Sequence, residues 1–97
     1  MPTAAVGRIV HVFADPAQNN GADVAPAMIT RAWSDECVNI RVLRDGPPAP
    51  EEWQTSVSLH ATREDAEAAH AQVAENFRAM GSEPPAVPYR AFWPPRA

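Results

Sequence analysis

Apolar side chains in this chain come in short bursts with the period of two that belongs to half-buried β-strands, and one longer stretch has the period of a helix. Residues 6–13 are dense in β-branched and aromatic side chains and run into the turn-rich stretch from Asp15 to Gly21, which predicts a first strand. Asn20 and Gly21 readily take positive φ, so residues 14–23 are expected to form an exposed connection between antiparallel neighbours. A second strand is predicted over 27–33, with Pro26 suited to a first strand position or an edge. Residues 37–44 alternate most clearly. Val38, Ile40 and Val42 fall on one face, and Asn39 and Arg41 on the other with Cys37 and Leu43. Asp45 to Pro50 has three residues without a backbone N–H and is read as an ordered turn or polyproline-like loop. Alternation resumes over 53–60, with Trp53, Thr55, Val57 and Leu59 on one face and Ser56, Ser58 and His60 on the other.

The helical stretch is 62–80. Thr62 followed by Asp65 resembles a capping box, Glu64, Asp65 and Glu67 sit where the helix dipole favours anions, and Gly81 marks the stop. Ala66, Ala69, His70, Val73, Phe77 and Met80 form a narrow stripe that must lie on a sheet or on a partner helix. A last strand is expected at 87–93, ended by Pro94 and Pro95. Together these elements predict a mainly β (α+β) single domain over 1–97. It is a small SH3-like, strongly bent antiparallel sheet or barrel of four or five strands, with one helix inserted before the last strand as a decoration. An open sheet with one helix across it is the competing arrangement. In either, uncovered sheet edges predict association with another copy.

Composition narrows the function classes. A chain of 97 residues makes one thin core. Its formal charge of −4 and lack of any basic run exclude a broad duplex-DNA or anionic-membrane surface. A single Cys allows no intrachain disulfide, no apolar run is long enough to span a bilayer, and Met1 to Ala5 lacks a signal-peptide pattern, which together predict a cytoplasmic protein. All eight basic residues are Arg, as either a GC-rich coding sequence or planar recognition of phosphate and carboxylate would require.

Gly7 to His11, Pro26 to Thr30, Val38 to Leu43 and Phe92 to Pro94 make up a GRIVH…PAxIT…VNxRVL…FWP pattern. This pattern resembles one found in small uncharacterised proteins of actinobacteria and their phages. It covers the strands and leaves out the helix, which is then an insertion in this member. The resemblance implies a phage or prophage accessory context, in which small non-enzymatic proteins sequester host signalling molecules or block defence components, and others serve as minor virion or assembly proteins.

Few residues carry candidate chemistry. His11, His60 and His70, even with Cys37, lack metal-ligand spacing, so neither a metal nor a cofactor is expected. No Gly-rich phosphate loop, nucleophile elbow or paired-carboxylate motif is present, so no catalytic residue and no enzyme activity are expected. The polar side of the middle strands is the candidate ligand surface, with Arg31, Trp33, Asn39, Arg41, Ser58 and His60, because Arg and Trp together suit a flat anionic, nucleotide-like ligand. Its plain counterpart is a solvated sheet face with Arg41 paired to Asp35 or Glu36. Phe77, Tyr89, Arg90, Phe92 and Trp93 are expected either to plug the barrel or to clasp a second copy, with Arg90 and Arg96 flanking the clasp. The primary expectation is a non-catalytic homo-oligomer that captures a small anionic ligand. A protein-docking or virion-associated module, with a host or phage protein as partner, is the alternative, and single-stranded nucleic-acid binding is a third.

Overall fold

Alternation in the sequence becomes a closed wall in the structure, a computed structural model that describes residues 2–47 and 52–95. The strands are β1 (Ile9–Phe13), β2 (Val24–Ser34), β3 (Cys37–Val42), β4 (Trp53–His60) and β5 (Arg90–Phe92), and a single helix, α1 (Arg63–Ala79), lies between β4 and β5. Inward positions are filled by small branched side chains, because five short strands enclose little space. Val10 and Val12 come from β1, Ala25, Ala27 and Ile29 from β2, Val38, Ile40 and Val42 from β3, and Val57 and Leu59 from β4. Each fully buried aliphatic side chain contributes about 1.5–3 kcal/mol. Trp93, just past β5, joins this cluster and plugs it.

The barrel has no free edge among the described residues. Strands β1 to β4 form an antiparallel meander, and β5 pairs antiparallel with β1 (His11 with Phe92, Val12 with Ala91) and parallel with β4 (Leu59 with Ala91, His60 with Phe92). The expectation that another copy satisfies the edges is therefore corrected: the chain closes on itself. The parallel pairing also corrects the role given to the helix. Parallel neighbours cannot be joined by a tight turn, so α1 is the crossover that carries the chain from β4 back to the start of β5. It is well terminated. Thr62 Oγ1 accepts from Asp65 N–H at 3.1 Å. Gly81, at φ 76°, lets Ser82 N–H reach Phe77 O and Gly81 N–H reach Arg78 O, at 2.9 and 3.0 Å.

Other boundaries move for local reasons. β1 starts at Ile9, not residue 6, because Gly7 (φ 90°) turns the chain. β2 begins three residues before 27, so Pro26 lies inside a strand. Leu43 N–H donates to Pro26 O just past the last β2–β3 pair, Ala27 with Val42, so the proline's missing donor falls where that ladder is ending. The strand expected at 87–93 shrinks to Arg90–Phe92. Asn20 and Gly21 do take positive φ, at 49° and 88°. Buried Asn19 ties their loop down by donating to Ala22 O and Val24 O and accepting from Asp45 N–H. Of the proline-rich connection, residues 48–50 lie outside the described residues, as does Arg96.

Candidate binding face of the barrel

Three irregularities in strand pairing converge on one side chain. Between Ile29 and Arg31, and again between Ala32 and Ser34, β2 spends an extra residue against β3. On the other side of β3, Val38 pairs with Val57 but Ile40 pairs with Gln54, so Thr55 and Ser56 together oppose Asn39. Ser56 takes a positive φ of 55°, the backbone signature of a bulged residue. Asn39 is 8% exposed, and its Oδ1 accepts from Trp33 Nε1–H (3.0 Å), Thr55 Oγ1–H (3.0 Å) and Ser56 N–H (2.9 Å). One carboxamide oxygen thus satisfies the bulge in β4 and fixes the indole carried by the bulge in β2.

Each bulge reverses the in-out alternation beyond it. In β2, Ala32 turns inward against the core and Arg31 turns outward, with its guanidinium 3.8 Å from the centre of the Trp33 ring. In β4, Val57 and Leu59 stay inside while Trp53 swings out. This corrects the expectation that Trp53 shares a face with them. Ile9 pairs with Met28, Met28 with Arg41, and Arg41 with Trp53, forming one transverse row of exposed side chains across β1 to β4. Trp33 and Trp53 are 53% and 52% exposed, and Leu43 adds another exposed apolar group.

The cations on this face have no carboxylate partner among the described residues. Among the described residues, Arg44 pairs with Glu52, and Arg63 with Asp23 and Glu67, whereas Arg31 and Arg41 have no acidic partner. Asp35, offered as a partner for Arg41, instead accepts the Ala4 N–H at 3.0 Å.

The six candidate ligand residues therefore divide. Arg31, Trp33 and Arg41 share the open face. Asn39 stands beneath it as an acceptor whose oxygen is already occupied, so it positions Trp33 and is not itself presented to a ligand. Ser58 and His60 lie on the β5 side of β4, opposite Arg90 and Phe92. An Arg90 N–H lies 3.1 Å from His60 Nε2 and donates to it, which makes that nitrogen the acceptor of a neutral ring. Burial, and next the charge of Arg90, hold His60 below the ordinary histidine pKa. Trp53 and Met28 join the face and were missed: only the Ser56 bulge reveals the direction of Trp53, while Met28 faces out by the plain alternation of Ala25, Ala27 and Ile29.

The clasp expectation is corrected as well. Phe92 and Trp93 are 2% and 6% exposed within their own chain. Phe92 points out of the barrel but lies against Phe13 and His11, with ring centres 5.1 and 5.9 Å apart, on the side that α1 covers. Arg90 is engaged with His60, and Tyr89 donates its hydroxyl to Thr55 O at 2.8 Å. Phe77 is half-buried on α1, whose buried residues are Ala66 and Ala74. Beside the helix, an open groove of about 1160 Å³ runs between α1 and the proline-rich segment before β5, and Asp23, Glu67, Glu75 and Glu83 line it along with Arg63 and Arg78.

Among the described residues, no three His, Cys, Asp or Glu side chains converge to hold a metal. In comparisons with known proteins the chain matches no family, no curated protein and no solved structure. Among the described residues, no helix is long and apolar enough to cross a membrane.

Proposed function

We propose that this chain is a small non-catalytic binding protein that captures an anionic, nucleotide-like ligand on the open outer face of its barrel. The observation that carries this reading is the pair Arg31 and Arg41. Neither has an acidic partner among the described residues, and both stand beside half-exposed indoles in a chain of net charge −4. A guanidinium hydrogen-bonds phosphate bidentately, and an indole stacks on a base with about 1–3 kcal/mol. The reading takes the barrel as SH3-like and the protein as a cytoplasmic homo-oligomer, since Ile9, Met28 and Leu43 leave an apolar margin beside the two indoles that a second copy would shield. In the phage or prophage context that the strand pattern suggests, such a protein sequesters a host signal.

The test is native mass spectrometry of protein purified from its host, together with thermal shift against a nucleotide panel. Retention of a nucleotide-like anion, or a rise in Tm with one, supports the reading. A bare monomer whose Tm no nucleotide moves overturns it. One observation favours a second reading, a protein-docking module: the acid-lined groove beside α1 suits a basic segment of a host or phage protein. Under that reading the purified protein carries one stoichiometric protein partner and no small molecule.

A further inference from the structure

The open face carries two Arg–Trp pairs, one stacked within β2 and one set across the β3–β4 ladder. Arg31 stacks on Trp33 at one level of the barrel wall, and Arg41 faces Trp53 directly across the β3–β4 ladder at the next. The two levels are linked through β3. Arg31 pairs with Asn39, and Arg41 lies two positions further along the same outer side, so the two anchors are offset by one strand repeat, roughly 7 Å. That offset is comparable to the step between neighbouring phosphates of an extended nucleotide chain. Both cations are uncommitted to carboxylates among the described residues, and both indoles are more than half exposed.

From this duplication we infer that the face is built for two nucleotide units joined by a phosphodiester, with one phosphate and one base for each Arg–Trp pair. This inference rests on the nucleotide-like reading above and narrows its ligand class. A mononucleotide fills one pair and leaves the other hydrated. A dinucleotide fills both, and its second contact is intramolecular, so affinity rises without any new kind of contact. The rigid Asn39 clamp supports this arrangement, since Trp33 is held in place before the ligand arrives and little ordering is left for binding. The net charge of −4 disfavours accumulation of a long polyanion, so the favoured source is a free dinucleotide and not a stretch of single strand.

Tryptophan fluorescence titrations with AMP, pApA and r(A)10 test this on the native protein and on Arg31→Ala, Arg41→Ala and the double variant. The expected result is pApA binding at least about 30-fold more tightly than AMP. Each single variant should bring pApA down toward the AMP level, and the double variant should abolish binding of both. Far-UV circular dichroism confirms that these exposed substitutions leave the fold intact. If r(A)10 gains no more than its count of overlapping sites allows, the source is a free dinucleotide. A steeper gain that falls sharply with salt assigns the same two-unit site to a single strand. Equal binding of AMP and pApA overturns the two-unit inference and leaves the proposed function standing, whereas no binding of any of the three overturns both.

Discussion

Two sides of one barrel wall, built partly from the same strands, are finished in opposite ways. On the β5 side the outward groups are covered: Phe92 lies under α1 against Phe13 and His11, and Arg63 caps Phe13 while paired to Asp23 and Glu67. On the β3 side the outward groups are left bare, with two exposed indoles and two guanidinium groups that have no acidic neighbour among the described residues. The difference separates stability from function within the same secondary structure. Covered aromatic side chains hold the fold together, while bare ones contribute little to it and are available for something else.

Substitutions should break that comparison in order of size. Phe92→Ala opens a cavity under the helix and is expected to cost about 3–5 kcal/mol, read from urea denaturation. A loss below 1 kcal/mol would mean that the helix does not seal that side. Asn39→Ala removes the acceptor for three donors and strands the Ser56 N–H in its bulge, for an expected loss of about 2–3 kcal/mol. It should also shift Trp33 emission to the red, whereas a silent result would deny the clamp.

Acidification probes the covered side alone. His60 and His11 have pKa values lowered by burial, so the unfolded chain takes up their protons first as pH falls. Their stabilising contribution is complete above the ordinary histidine range and is lost as pH drops through the lowered folded values. Tm should therefore fall between about pH 7 and pH 5, and His60→Gln should flatten part of that slope. A slope unchanged in this variant would assign the effect elsewhere. The smallest effect belongs to the bare side. Arg41→Ala and Trp53→Phe should each leave stability within about 0.5 kcal/mol of the parent by denaturant titration, even where they weaken ligand binding.

Much of the fold was legible because its signals are local. β4 occupies the 53–60 span read from its alternation, the helix differs from its predicted span by one residue at each end, and Val38, Ile40 and Val42 are buried as their spacing demands. The candidate face was half legible. Arg31, Trp33 and Arg41 could be placed on the polar side, but Trp53 could not, because a single bulged residue at Ser56 reverses the parity of everything before it and a serine carries no obvious mark of positive φ. Asn39 looked solvent-facing from alternation alone. Its burial follows from the two neighbouring strands delivering donors to it, a non-local arrangement that no window of sequence contains. The barrel itself was legible, but the pairing that closes it was not, for the same reason: it sets β5 antiparallel to β1 and parallel to β4, joining His11 to Phe92 across nearly the whole chain.

That closure sets the order of assembly. The meander β1–β2–β3–β4 and the helix each form from neighbours in sequence, but the latch is a strand of only three residues that must travel the length of the molecule to meet β1. Until it arrives, the hoop stays unfastened, with the margins of β1 and β4 open to any passing strand. Closing the ring is therefore the expected last step, and the time for which those margins stay open is set by how quickly α1 brings Arg90–Phe92 into the gap.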